Sequence, residues 1–178
     1  MKLTTRLIAL AAVTSIPALA AAQERPAAPA GTTHDQHMAQ TNKDAELKQH
    51  GHMAMDFDPA KATHHFTLTP TGGVIAVTAN DAADTATRDQ IRTHLEEIAA
   101  AFGKGNFEKP MMMHGKMPPG AADMQRHKTD IKYTFERSDK GGEVRIAATS
   151  DEAVKAVHEF LRYQIGEHKT GDPLTVKK

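Results

Sequence analysis

The stretches "HHFTLTPTGGVIAVTA" (64–79) and "KYTFERSDKGGEVRIAAT" (132–149) decide the fold when they are laid over each other with their Gly-Gly pairs aligned. Gly72-Gly73 fall on Gly141-Gly142, Phe66 on Phe135, Ile75 on Val144, Val77 on Ile146 and Ala79 on Ala148. The apolar positions recur with period two, the spacing of strands that bury one face. Each Gly-Gly lies where a hairpin reverses.

A helical pattern follows each hairpin. In "NDAADTATRDQIRTHLEEIAAAFGKG" Asp84, Thr85 or Thr87 can cap, and Ile91, Leu95, Ile98 and Phe102 form one stripe. In "TSDEAVKAVHEFLRYQIGEHKTG" Ser150 can cap, and Val154, Val157, Leu161 and Ile165 form the other. Gly103 and Gly171 mark the exits. The chain therefore reads as two ββα half-repeats sharing one four-stranded antiparallel sheet with both helices on one face, an α+β fold. Neither half buries a core alone. The connection from Gly105 to about Asp130 is long for a segment without regular structure, and Pro118-Pro119-Gly120 denies it a long helix.

Upstream, Lys2 and Arg6 precede an apolar run, Leu7 to Ile16, and the small residues Ala18-Leu19-Ala20-Ala21-Ala22. Residues 1–22 read as a signal peptide and the product as exported and periplasmic, without a membrane span once the signal is removed. Residues 23–61 are rich in Ala, Pro, Thr, Gln, Asp and His and read as a disordered arm; residues 62–178 form the domain. The absence of cysteine excludes disulfides and thiolate metal sites. Removing Lys2 and Arg6 from 22 basic and 22 acidic residues leaves a formal charge near −2, which favours neither nucleic acid nor an anionic membrane.

Methionine and histidine carry the functional signal. Apart from Met1, every methionine (38, 53, 55, 111, 112, 113, 117 and 124) stands outside the predicted strands and main helices, so methionine is not expected as core filler. The arm pairs methionine with histidine: His34, His37 and Met38, then His50, His52, Met53 and Met55. The connection adds "KPMMMHGKMPPG" (109–120), where Met113, His114 and Met117 are candidate ligands and a hydrophobic flap is the competing reading. Thioethers suit Cu(I) and imidazoles suit Cu(II), Zn(II) and Ni(II), so this cysteine-free set points to a copper ion.

Within the domain, His64 and His65 open the first strand facing opposite ways. His64 lies opposite Tyr133 in the repeat and reads as an amphipathic residue capping the core. His94 borders the first helical stripe opposite Phe160, and His168 falls where the first half has Phe102. Both are also candidate ligands, although a histidine on an apolar face is more often a satisfied core residue. His158 borders the second stripe and is read the same way.

No G-x-S-x-G, H-E-x-x-H or phosphate-binding glycine loop occurs, and adjacent carboxylates such as Glu96-Glu97 belong to solvated faces. No catalytic residue is therefore named. The leading expectation is a non-enzymatic metal-buffering or delivery protein. The alternatives are an envelope module that binds a protein or small ligand without metal, through the sheet face bearing His65 and Thr67, and an enzyme using His94, His114 or His168 as a base.

Thr63-His64-His65-Phe66, Ala79-Asn80-Asp81, Arg88-Asp89, His94, Pro110-Met111, His114, Pro118-Pro119-Gly120, Phe160-Leu161-Arg162, Gln164-Ile165 and His168 resemble the pattern of a poorly characterised family of small bacterial exported proteins. The resemblance runs from about Met55 to Pro173 and implies that His64, His65, His94, His114 and His168 belong to the family pattern. An aspartate carbamoyltransferase label sometimes attached to such groups does not carry over, because the Ser-Thr-Arg-Thr phosphate-binding motif is absent.

Overall fold

The structure, a computed structural model, describes residues 55–177. The signal segment and the arm positions His34, His37, Met38, His50, His52 and Met53 lie outside the described residues. Strands β1 (Ala62–Thr69), β2 (Gly72–Ala79), β3 (Ile131–Ser138) and β4 (Gly141–Ala148) form one antiparallel sheet in the order β1-β2-β4-β3.

The half-repeat is built into the register. Between the central strands, Ile75 faces Val144, the residue it matches in sequence, while Gly73 faces Ile146 and Val77 faces Gly142. Exchanging the halves turns each of these last two pairs into the other, so a local two-fold axis runs through Ile75 and Val144. Burial alternates along the strands: Phe66, Leu68, Ile75, Val77, Val144 and Ile146 are buried, whereas Thr63, His65, Lys132 and Arg145 are exposed. One face carries the core and the other meets solvent.

Helix α1 (Thr85–Gly103) starts at Asp84, whose side chain accepts from the Thr87 N–H. It packs chiefly on β3 and β4. The second long helix, α4 (Asp151–His168), starts at Ser150, whose hydroxyl accepts from the Ala153 N–H, and packs chiefly on β1 and β2. Each helix thus lies over the hairpin of the other half, which explains why one ββα unit cannot form a core by itself. Gly73 admits the close approach of α4, because a Cβ there would stand 2.2 Å from Leu161 Cδ1.

Three expectations need correction. The connection is not without regular structure: it folds into α2 (Glu108–His114), α3 (Ala121–Arg126) and a 3-10 turn at Lys128–Asp130. Pro110 falls in the first turn of α2, where a missing N–H costs nothing. Pro118-Pro119-Gly120 then separates the two short helices. Nor does methionine avoid the core, since Met55, Met113 and Met124 are all buried in it. One helix exit is also displaced: α1 ends at Gly103 as expected, but α4 ends at His168 with the left-handed Lys169 (φ 51°) after it, ahead of Gly171.

Residues 55–61, grouped with the arm by composition, pack on the domain through buried Met55 and Phe57 and end in a 3-10 turn at Pro59–Lys61. Gly120 (φ 79°) sits directly on α4, where a Cβ would lie 2.3 Å from Ala156 O and 2.7 Å from Phe160 N.

Candidate functional site

Four histidines from four elements gather around one cavity: His64 of β1, His94 of α1, His114 of α2 and His168 of α4. Parity places His64 on the inner face, and the stripes place His94 and His168 on the sheet side of their helices. His114 closes α2 one residue after buried Met113. The His64 and His168 rings stack with centroids 5.2 Å apart, and His114 meets His168 edge-on at 5.6 Å. Phe57 packs against His64 at 6.3 Å and against His94 at 5.5 Å.

The cavity measures about 80 Å³ and is also lined by Met55, Met113, Phe66, Phe102, Phe160, Gln164 and Lys109. Drug-sized ligands occupy about 300–1,000 Å³, so this space suits an ion or a few waters and excludes a large organic molecule. His114 Nε2 donates to Gln164 Oε1 at 3.0 Å, which fixes the ring's orientation and tautomer. His94 Nδ1 is buried without a hydrogen-bond partner among the described residues. At the rim, Lys109 Nζ bridges Asp56 Oδ2 at 3.0 Å and Glu97 Oε2 at 2.7 Å, tying the segment before β1 to α1 and α2.

Burial keeps the imidazoles of His64, His94 and His168 neutral. Desolvation, reinforced by neighbouring histidines, lowers the pKa of His64 to about 4 and that of His168 to about 3. His94 is lowered to about 4, first by desolvation and then by the Lys109 ammonium. Neutral imidazole is the form that ligates a metal. Among the described residues, no group of three or more His, Asp or Glu is placed to hold a metal ion.

Of the candidates named from sequence, Met55, His94, Met113, His114 and His168 come together here. Met117 does not: it lies past the end of α2 and is 42% exposed. His65 points outward and pairs with Asp172 at 3.0 Å. His158 is structural, its Nε2 donating to the carbonyls of Thr69 (2.8 Å) and Gly72 (3.0 Å) at the β1–β2 turn. His64 lies on the inner face against Phe57, Phe66 and His168, as its parity predicts, while Gln164 and Lys109 were not among the candidate ligands. The repeat sets Tyr133 opposite His64 and Phe102 opposite His168, and these two aromatic residues pack edge to face at 5.7 Å in the other half.

No family model, no curated protein and no solved structure matches the chain.

Proposed function

We propose that this protein binds a single copper ion as Cu(I) in the histidine-lined cavity and buffers or delivers it without transforming a substrate. The observation that carries the reading is the contrast between the two related corners of the fold. One corner is filled by Tyr133 and Phe102. The other holds stacked His64 and His168 beside His94, His114, Met55 and Met113. Packing alone does not require imidazole at these positions, because the related corner is filled by an aromatic pair, set edge to face where the histidines stack.

The donor set favours copper over zinc. A structural zinc ion takes four ligands, usually thiolate or imidazole. With no three convergent His, Asp or Glu side chains among the described residues, a soft ion satisfied by imidazole and thioether is the better match. The amino-terminal signal pattern supports export to an oxidising compartment, where methionine is the only soft donor left to a cysteine-free chain.

The test is a Cu(I) competition titration against a chromophoric chelator. A His64→Tyr/His168→Phe variant, which copies the aromatic corner, is expected to stay folded and to lose far more than the 10–100-fold typical of disturbing a ligand's outer neighbours. Equal copper retention by the variant and the unmodified protein would sink the proposal.

A further inference from the structure

The two edges of the sheet are treated differently. In β1 the even-numbered residues turn their backbone groups outward, as fixed by the Asn80 N–H donating to Lys61 O at 2.8 Å on the β2 side. That outer row is sealed by the segment after α4: the Phe66 N–H donates to Asp172 Oδ2 at 2.8 Å, and the Lys177 N–H donates to Leu68 O at 2.8 Å.

In β3 the Thr149 N–H donates to Asp130 O at 3.0 Å, so even-numbered residues face β4 and the odd-numbered Ile131, Tyr133, Phe135 and Arg137 face out. Among the described residues no backbone hydrogen bond reaches this second row. An open edge of eight residues is a template for another strand unless its side chains forbid pairing.

Here the side chains select one partner. We infer that β3 pairs antiparallel with β3 of a second copy of this chain, about a two-fold axis at Thr134. In that register Lys132 stands across from the partner's Glu136 and Glu136 from the partner's Lys132, giving two opposite-charge cross-strand pairs on the solvent face. A two-fold at Tyr133 or Phe135 would instead set Lys132 against the partner's Thr134 or Ser138.

Glu136 already carries Arg145 at 2.9 Å, whereas Lys132 has no ion pair among the described residues, so the pairing satisfies the unused cation. On the other face Tyr133 and Phe135, only partly buried at the margin of the core, would face the partner's Phe135 and Tyr133. The interface is isologous and closes at two copies, joining two four-stranded sheets into one of eight strands.

Sedimentation equilibrium of residues 23–178 over a concentration series tests this, with circular dichroism to confirm folding. The unmodified protein is expected to show a monomer–dimer equilibrium. Lys132→Glu and Glu136→Lys, each placing like charges across both pairs, should weaken dimerisation about tenfold or more. An equimolar mixture of the two variants should dimerise again, because every cross-strand pair in the heterodimer is then of opposite sign. A misfolded variant cannot produce that rescue. The inference is overturned by an unmodified protein that stays monomeric, by single variants that dimerise as it does, or by a mixture that stays dissociated.

Discussion

His64 and His168 stack with their ring centroids 5.2 Å apart across the β1–α4 interface. The related β3–α1 interface holds Tyr133 and Phe102 at 5.7 Å. The protein thus contains its own control for what these positions need in order to pack. A His64→Tyr/His168→Phe variant should melt no lower than the unmodified protein, since two desolvated imidazoles are exchanged for the ring pair that the related corner accommodates edge to face. Differential scanning calorimetry of the metal-free proteins checks this.

Acid should destabilise the fold earlier than carboxylate titration alone would. The folded-state pKa values of His64, His94 and His168 lie at about 4, 4 and 3, below the ordinary 6.5, so the unfolded chain binds more protons. Stability is complete above pH 6.5 and is lost as the pH falls toward 3. The slope approaches about 1.4 kcal/mol per pH unit for each ring protonated only on unfolding. Urea unfolding of the metal-free protein at a series of pH values from about 7.5 to about 4.5 should show it. The double aromatic variant should have a visibly shallower dependence.

Met113→Leu should separate ligation from packing. Met113 is buried, and Leu replaces it with nearly equal volume, so the stability cost should stay below about 1.5 kcal/mol while Cu(I) affinity falls with the lost thioether. Met124→Leu makes the same exchange at a buried site away from the cavity lining and should leave copper affinity unchanged. So should Met112→Leu, on a side chain 53% exposed. Competition titrations on the three variants provide the comparison.

His158→Phe should do the reverse. Losing the ring N–H leaves the Thr69 and Gly72 carbonyls without that donor at the hairpin turn, at a cost of about 1–3 kcal/mol. Copper affinity should be untouched, because His158 does not line the cavity. Denaturant midpoints and a copper titration on the same sample test both halves of the statement.

Much of the fold was legible because periodicity and the Gly-Gly pairs report local backbone demands. Phe66, Ile75, Val144 and Ile146 declared the inner face, and Asp84 and Ser150 declared the helix starts. The connection was less legible. Its short helices are stabilised by what they lean on, as buried Met113 and Met124 show, and not by any stripe of their own. The site was visible as residue types, but its convergence was not. His64 and His168 are far apart in sequence and meet only because α4 crosses onto the hairpin of the other half, a tertiary choice that no local pattern encodes. Met55 was named as a candidate ligand, but its grouping with the arm gave no sign that it packs into the domain's cavity.

Gly120 should be intolerant of replacement. Gly120→Ala combines a left-handed backbone (φ 79°) with a Cβ driven into the α4 main chain, and should cost about 2 kcal/mol or more. The deeper consequence concerns tolerance in the machining sense. With no side chain between them, the loop before α3 is seated on the backbone of α4 itself, so its position does not depend on the rotamer of any intervening residue. The chain that supplies His114 is thereby gauged against the same helix that supplies Gln164 and His168. A spacing set backbone to backbone drifts far less than one set through flexible side chains.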